Sequence, residues 1–273
     1  MLQDRLKGYY GRECKIVATR RTAGGAAFWF VIDIAVRSSL QRLLGSIDRG
    51  GAIMEHSAMD LLHPDRVIFL YERMMLVAFA LTREPRKALL LGLGGGAMCR
   101  HLARHLPDCA LTLVERDPAV LDLARRYFHV DQPVRRADAG QAVADADGAF
   151  DVVVVDLYDP GGLALREPRF WRGCSAALKP AGCIAINWAG FLQKSEVRDE
   201  IARAAAQLPH SLFLEDRGRR PNLVQLAPAS GFRLGELAAR QRQFGRSHLL
   251  PAEDRNILQR CRVHARLPWR TGE

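Results

Sequence analysis

Short apolar runs alternate with amphipathic stretches through the middle of the chain, from residue 87 to residue 187. The runs at 88–91, 110–114, 152–155 and 184–187 have the length of strands, whereas the stretches at 98–106 and 120–128 have helical periodicity. The run 152–155 is four consecutive valines without polar alternation, which is typical of a strand covered on both faces. This order predicts an α/β fold, a doubly wound Rossmann-like sheet that binds ligands at the carboxyl ends of its strands.

Three regions follow from the rest of the pattern. Residues 1–62 are predicted to form a small β-hairpin region, because aromatic and β-branched side chains at 28–32 precede turn glycines. Residues 63–230 are the predicted Rossmann-like domain, which opens with a buried helix after Pro64 and closes with a hairpin formed by 211–214 and 223–226. Residues 231–273 are predicted to be an Arg-rich helical C-terminal extension.

Composition narrows the class of protein. Hydrophobic residues make up 48% of the 273, enough for a sizeable core, and the six cysteines show neither a CxxC pair nor zinc-ligand spacing. The apolar run at 26–32 ends at Asp33, too short to span a membrane. We therefore expect a soluble cytoplasmic protein with reduced thiols, no metal and no membrane partner.

Positive charge is concentrated at the C-terminal end. Of the net charge of +10, residues 217–273 carry +8, from twelve Arg, no Lys and four acidic residues. Such a surface can attract RNA or an acidic protein. Arg-rich helical faces are more often simply solvated, so we expect no nucleic-acid partner.

A glycine-rich turn follows the first predicted strand of the Rossmann-like domain. Its sequence, Gly92-Leu93-Gly94-Gly95-Gly96, lets backbone N–H groups approach a polar ligand at the start of a helix. Glu115 ends the next strand 23 residues after Gly92, where an acidic side chain commonly accepts the ribose hydroxyls of a nucleotide. NAD enzymes and AdoMet enzymes share this arrangement, so it predicts a nucleoside cofactor without choosing between them.

Acidic residues follow the third and fourth strands of the same domain. Asp138 comes after Val134-Arg135-Arg136, and Asp156 and Asp159 follow the four valines three residues apart. The carboxyl ends of neighbouring parallel strands share one edge of a sheet, so these acids are expected around one crevice. Such a crevice suits a cationic substrate beside a sulfonium.

The combined motifs resemble those of the spermidine synthase family over residues 28–227. The matching positions are the glycines Gly92, Gly94 and Gly96, then Glu115, Asp138-Ala139, Asp156-Leu157-Tyr158-Asp159-Pro160 and, upstream, Ser57-Ala58-Met59-Asp60 with Tyr71-Glu72. The resemblance implies an AdoMet-dependent methyltransferase-type fold and a transferase of polyamine biosynthesis. The expected reaction moves an aminopropyl group from decarboxylated AdoMet to a polyamine such as putrescine.

The resemblance also implies roles for individual residues. Asp156 would hold and deprotonate the attacking amine, and Asp159 would orient the substrate. Tyr71, which could instead pack in the core, Tyr158 and His56 would line the amine pocket. The nucleoside would be held by Gly92, Gly94, Gly95, Gly96, Glu115, Asp138 and Ala139. Because family members are commonly oligomeric, a homodimer is also expected.

Gly95 departs from the family pattern, which has an Asp there to pair with the ammonium of decarboxylated AdoMet. Glycine would remove a charge that repels the carboxylate of intact AdoMet and would expose N–H donors. Either intact AdoMet is accepted, or another residue binds the amine. Leu157-Tyr158 and His56 also differ from the residues usual in the family.

Two alternatives to aminopropyl transfer remain open from the sequence. One is an AdoMet-dependent methyltransferase that acts on a small amine. The other is a non-catalytic binding protein that keeps the nucleotide fold. His101 and His105 share a helix face, but without a third ligand we interpret them as a solvated face and not as a metal site.

Overall fold

A computed structural model describes residues 14–21, 28–37, 40–49, 52–82, 84–157, 164–189, 195–217, 222–231, 239 and 257–269. The N-terminal part forms a four-stranded antiparallel sheet, in which each strand pairs with the next along the chain. Its strands are β1 (Cys14–Arg21), β2 (Phe28–Arg37), β3 (Leu40–Arg49) and β4 (Ala52–Asp60). The prediction of a β-rich region before the main domain is therefore confirmed.

The second sheet has eight described strands in the order β12-β10-β11-β9-β8-β5-β6-β7. They are β5 (Lys87–Leu91), β6 (Ala110–Glu115), β7 (Val134–Arg136), β8 (Phe150–Val155), β9 (Leu178–Trp188), β10 (Leu212–Asp216), β11 (Leu223–Pro228) and β12 (Cys261–His264). The five strands from β9 to β7 are parallel, and β11, β10 and β12 extend the sheet in antiparallel pairs. The doubly wound α/β architecture is confirmed.

Helices cover both faces of this sheet. They are α1 (Leu70–Met75), α2 (Val77–Leu81), α3 (Ala97–His105), α4 (Pro118–Tyr127), α5 (Ala139–Ala144), α6 (Pro168–Ala176) and α7 (Ser195–Gln207). Strand side chains alternate between the two cores: Val152 and Val154 pack in one, Val153 and Val155 in the other. All four are at most 2% exposed, which explains the lack of polar alternation in their sequence.

Local sequence signals predicted where some of the helices begin, with mixed success. Asp117 accepts a hydrogen bond from the Ala119 N–H and caps α4, with Pro118 at its first position, as the sequence predicted. The helix expected directly after Pro64 begins instead at Leu70 and is interrupted at Leu76. Among the described helices, none combines the length and apolar character needed to cross a membrane.

The prediction of an Arg-rich helical extension is wrong for residues 257–264. Residues Ile257–Arg260 form a 3₁₀ turn, and Cys261–His264 form the edge strand β12, which pairs with β10. Glu215 on β10 accepts hydrogen bonds from His264 and Arg262 across this pair, at 2.9 and 3.2 Å. Part of the Arg-rich segment therefore belongs to the main sheet and not to a helical extension.

Candidate active site

The glycine turn between β5 and α3 is shaped by backbone contacts. Gly92 has φ +92°, and a Cβ there would lie 2.1 Å from the carbonyl oxygen of Asp156. No L side chain fits this position without moving the end of β8. The glycine turn at the end of β5 therefore packs directly against the backbone of Asp156, which follows the neighbouring strand β8.

Glu115 fixes this turn to the end of β6. Its two carboxylate oxygens accept hydrogen bonds from the N–H groups of Leu93 and Asp117, at 3.1 and 2.8 Å. Burial raises the pKa of Glu115, and the backbone donors oppose that rise. A third backbone N–H, that of Arg116, also hydrogen-bonds to this carboxylate, so one of its four lone pairs remains for a hydroxyl group of a ligand.

Asp138 stands at the same edge, three positions along the sheet from β8. One oxygen caps α5 by accepting the Gly140 N–H at 2.8 Å, and the other lies 3.5 Å from the Arg116 guanidinium. The side chain is 49% exposed, in contrast to Glu115. Ala139, its neighbour, is the first residue of α5 and is buried.

Asp156 immediately follows β8 and belongs to a hydrogen-bonded group. The Asn187 amide nitrogen, from β9, donates to its Oδ1 at 3.0 Å, and the Tyr71 hydroxyl lies 3.5 Å from Oδ2. Burial raises the pKa of Asp156, whereas both of these hydrogen bonds act to lower it. Burial also raises the pKa of Tyr71, and the charge of Asp156 adds to this effect, so the phenol stays protonated as a donor.

Glu72, which the sequence did not single out as a site residue, is a buried acid whose charge interacts with that of Asp156. Its residue is 6% exposed, and burial, reinforced by the charge of Asp156, raises its pKa to about 8. Its Oε2 has no hydrogen-bond partner among the described residues. The available signal was an acid within the otherwise mostly apolar stretch that forms α1 and α2.

Gly95 does not expose its N–H, so the expectation of free donors there is wrong. The N–H donates to Ser57 Oγ at 2.6 Å, and a Cβ would lie 2.7 Å from the Ser57 Cβ and 2.9 Å from the Phe128 ring. Its carbonyl accepts a hydrogen bond from Arg100, whose side chain also donates to the Phe128 carbonyl at 2.7 Å. This buried position has no room for a side chain.

The remaining expected pocket residues are only partly described. Tyr158 and Asp159 lie outside the described residues. His56 is half-buried on β4, and its backbone carbonyl passes 3.7 Å from the point where a Cβ of Gly94 would stand. The structure thus brings Tyr71, Asp156 and the glycine turn together, with Glu115 joined to them through Leu93.

The histidine pair on α3 differs from its prediction. His101 is 2% exposed and not solvated, and its Nδ1 lies 2.9 Å from the Asp65 carbonyl oxygen. His105 Nε2 lies 3.0 Å from Asp65 Oδ2, so both rings attach the segment before α1 to α3. In the part of the chain that the structure describes, no group of three or more His, Cys, Asp or Glu side chains could hold a metal ion.

Known proteins resemble this chain in sequence and in fold. The polyamine aminopropyltransferase of Chromobacterium violaceum is 32% identical over 141 residues, which are 48% of this chain and 53% of that protein. The chain thus spans about half the length of the curated relatives it matches.

Solved structures with low sequence identity have the same fold. The spermidine synthase from Thermotoga maritima has a TM-score of 0.67 at 18% identity, covering 90% of this chain and 88% of that chain. Human methyltransferase-like protein 13, in complex with SAH, has a TM-score of 0.59 at 23% identity, covering 67% and 94%. These likenesses support the Rossmann-like methyltransferase-type fold.

The spermine/spermidine synthase domain model matches residues 68–211, more than half of the chain. This segment contains the glycine turn, Glu115, Asp138 and Asp156. The chain therefore belongs to the spermine/spermidine synthase family.

Proposed function

We propose that this protein is a polyamine aminopropyltransferase that uses decarboxylated AdoMet as the aminopropyl donor. The observation that carries the proposal is the position of Asp156, a partly buried carboxylate that directly follows a parallel strand and lies beside the glycine turn of the family's nucleotide-binding fold. Asn187 and Tyr71 donate to it, which fixes its orientation. The carboxylate is suited to a positively charged amine that enters next to the nucleoside.

The reaction joins the amine nitrogen of the acceptor to the donor carbon that neighbours the sulfonium. The carbon–sulfur bond breaks with its electron pair on sulfur, which leaves neutral 5′-methylthioadenosine. The attacking amine must first lose a proton, and for a primary amine with a pKa near 10.4 this costs about 5 kcal/mol at pH 7. Asp156 accepts that proton, and its raised pKa brings it closer to the operating pH of a general base.

The other residues of the edge are assigned to the nucleoside. Glu115 accepts a ribose hydroxyl with the lone pair that its three backbone donors leave free, and Asp138, which is more exposed, accepts a polar group of the base. Ala139 is a small buried residue beside that acid. Positioning of the two reacting atoms by this frame supplies a large part of the rate.

The experiment is a transfer assay with decarboxylated AdoMet and putrescine, in which spermidine and 5′-methylthioadenosine are measured by mass spectrometry. We expect both products in equal amounts from the wild-type protein and a loss of about 100-fold or more in kcat for Asp156→Asn. Asp122→Asn is the matched control, because Asp122 forms an ion pair with Arg126 on α4 away from the glycine turn and Asp156, and its replacement should leave turnover unchanged. Absence of both products, or an active Asp156→Asn, would contradict the proposal.

No second function is proposed. Methyl transfer from intact AdoMet was favoured by the exposed N–H groups expected at Gly95, and that N–H is occupied by Ser57. The binding-protein alternative depended on the Arg-rich end, of which a described part is instead an edge strand of the main sheet.

A further inference from the structure

Glu72 has a feature that folding alone does not account for. The residue is 94% buried, and the Phe69 backbone N–H is its hydrogen-bond donor, which leaves Oε2 without a partner among the described residues. A buried carboxylate oxygen without a donor is costly, so such groups mark either strain or a missing ligand.

The surroundings of Glu72 are rich in acceptors. The Asp156 carboxylate is close enough to raise the pKa of Glu72, and the Asn187 Oδ1 is likewise buried without a partner in the described part of the chain. The amide nitrogen of Asn187 is already used by Asp156. An unpartnered carboxylate oxygen can accept a hydrogen bond from a ligand N–H, and a primary ammonium has three such donors.

Arg100, a buried cation, influences Glu72 electrostatically but is held elsewhere. Its Nε donates to the Pro64 carbonyl at 2.8 Å and its Nη1 donates to the carbonyls of Gly95 and Phe128, while its Nη2 is buried without a partner among the described residues. No ion pair joins it to Glu72 among the described residues. Arg100 instead supports the glycine turn, and the charge of Glu72 acts on Arg100 and on Tyr71, the residue whose hydroxyl lies beside Asp156.

The proposed reaction brings two amines into the site, and each requires a carboxylate. Asp156 is assigned to the attacking amine of the acceptor. The aminopropyl arm of the donor ends in a second primary ammonium, and the glycine turn offers it no acidic side chain and no room for one at Gly95. We infer that Glu72 binds this ammonium and so selects decarboxylated AdoMet over intact AdoMet, which has a carboxylate on the same arm.

This inference rests on the proposed function, and calorimetric binding separates the two. The ligands are decarboxylated AdoMet and 5′-deoxy-5′-dimethylsulfonioadenosine, which keeps the positive sulfur but lacks the aminopropyl arm. We expect Glu72→Gln to weaken decarboxylated AdoMet about ten- to hundredfold, the loss of one hydrogen bond to a charged group, with less than a twofold effect on the armless sulfonium. Glu115→Gln, a Glu-to-Gln change at the nucleoside, should weaken both ligands alike.

A proton count provides a second measurement on the same variants. In the free protein Glu72 faces Asp156 and Tyr71, and Arg100 and Arg73 act on it as cations. Because Glu72 is largely protonated at pH 7, binding the ammonium should expel its proton. Calorimetry in buffers of different ionisation enthalpy should show about one more proton released by wild type than by Glu72→Gln.

The outcomes are distinct. Equal weakening of both sulfonium ligands by Glu72→Gln would show that Glu72 only supports the fold, and unchanged binding with lost turnover would make it a proton acceptor; either result overturns the inference and leaves aminopropyl transfer standing. Thermal unfolding of the variant identifies a folding defect. A wild-type protein that binds neither ligand would overturn the proposed function together with the inference.

Discussion

Replacement of Glu72 by Gln should change how the stability of the ligand-free protein depends on pH. The ordinary pKa of this carboxyl is 4.5, and burial together with the charge of Asp156 raises it to about 8 in the folded protein. Between these two values the unfolded chain has lost the proton that the folded chain keeps. Since the unfolded state then binds fewer protons, the free energy of unfolding falls as pH rises.

The magnitude follows from the two pKa values. At up to 1.36 kcal/mol for each pH unit, ionisation of Glu72 in the unfolded chain removes about 3 kcal/mol of stability between pH 4.5 and pH 7, and about 4 kcal/mol by pH 8, where the folded chain also begins to lose the proton. A Gln side chain has nearly the same volume and no proton to lose. The free energy of unfolding of the variant should therefore rise relative to that of wild type by this amount over the same pH interval, even if the variant is less stable at pH 4.5.

Urea unfolding at intervals from pH 4.5 to pH 8.5 measures this difference directly. The contribution of other groups is common to both proteins and largely cancels when the two curves are subtracted. Parallel curves for wild type and Glu72→Gln would refute the reasoning, because they would mean that Glu72 ionises in the folded protein as easily as in water.

Three further predictions concern the main sheet and the site at the ends of its strands. Asp151→Asn should lower the free energy of unfolding by about 2–3 kcal/mol, because the Asp151 carboxylate accepts hydrogen bonds from Lys179 at 2.8 and 2.9 Å. Burial raises the pKa of Asp151, but these hydrogen bonds and two backbone donors keep it below 3.8. Wild-type stability should therefore fall as the pH drops below 3.8, and chemical unfolding at several pH values measures this. Gly92→Ala should lower stability by about 2 kcal/mol or more and abolish nucleoside binding, because the new Cβ would meet the Asp156 carbonyl at 2.1 Å; an unchanged melting temperature would argue against this. Asn187→Leu removes a hydrogen bond that lowers the pKa of Asp156, so the acidic limb of the pH–kcat profile should move up by about one to two pH units. An unchanged profile would show that the ionisation of Asp156 does not produce the acidic limb.

Much of the fold could be predicted because its signals are local. The four valines of β8, the Asp117-Pro118 start of α4 and the glycine turn each lie within a few consecutive residues, and their pattern depends on periodicity, capping and backbone conformation. The edge strand Cys261–His264 gave no such signal. It is four residues long and pairs with β10, which lies about 50 residues earlier, so only the assembled sheet creates it.

The residues of the site also fall into those with a local sequence signal and those whose role depends on distant contacts. Glycines and acids at strand ends were visible in the sequence, since parallel strands in a doubly wound sheet bring their carboxyl ends to one edge. The roles of Ser57, Arg100 and Asn187 were not visible, because each depends on hydrogen bonds to residues that are distant in the sequence. Ser57 reaches Gly95 from the N-terminal sheet, and this contact turns a position expected to expose its N–H into a filled one.

The sequence by itself determined the order of strands and helices, the glycine turn and the acids that follow the strands, because neighbouring residues specify these features. Only the tertiary structure decided which acids are deprived of water. Glu72 and Asp156 are 84 positions apart, and their coupling arises because α1 packs over β9 and β11 and so brings Glu72 near the end of the neighbouring strand β8. Burial and proximity of charge are properties of that packing, and they set the proton affinity on which the proposed chemistry depends.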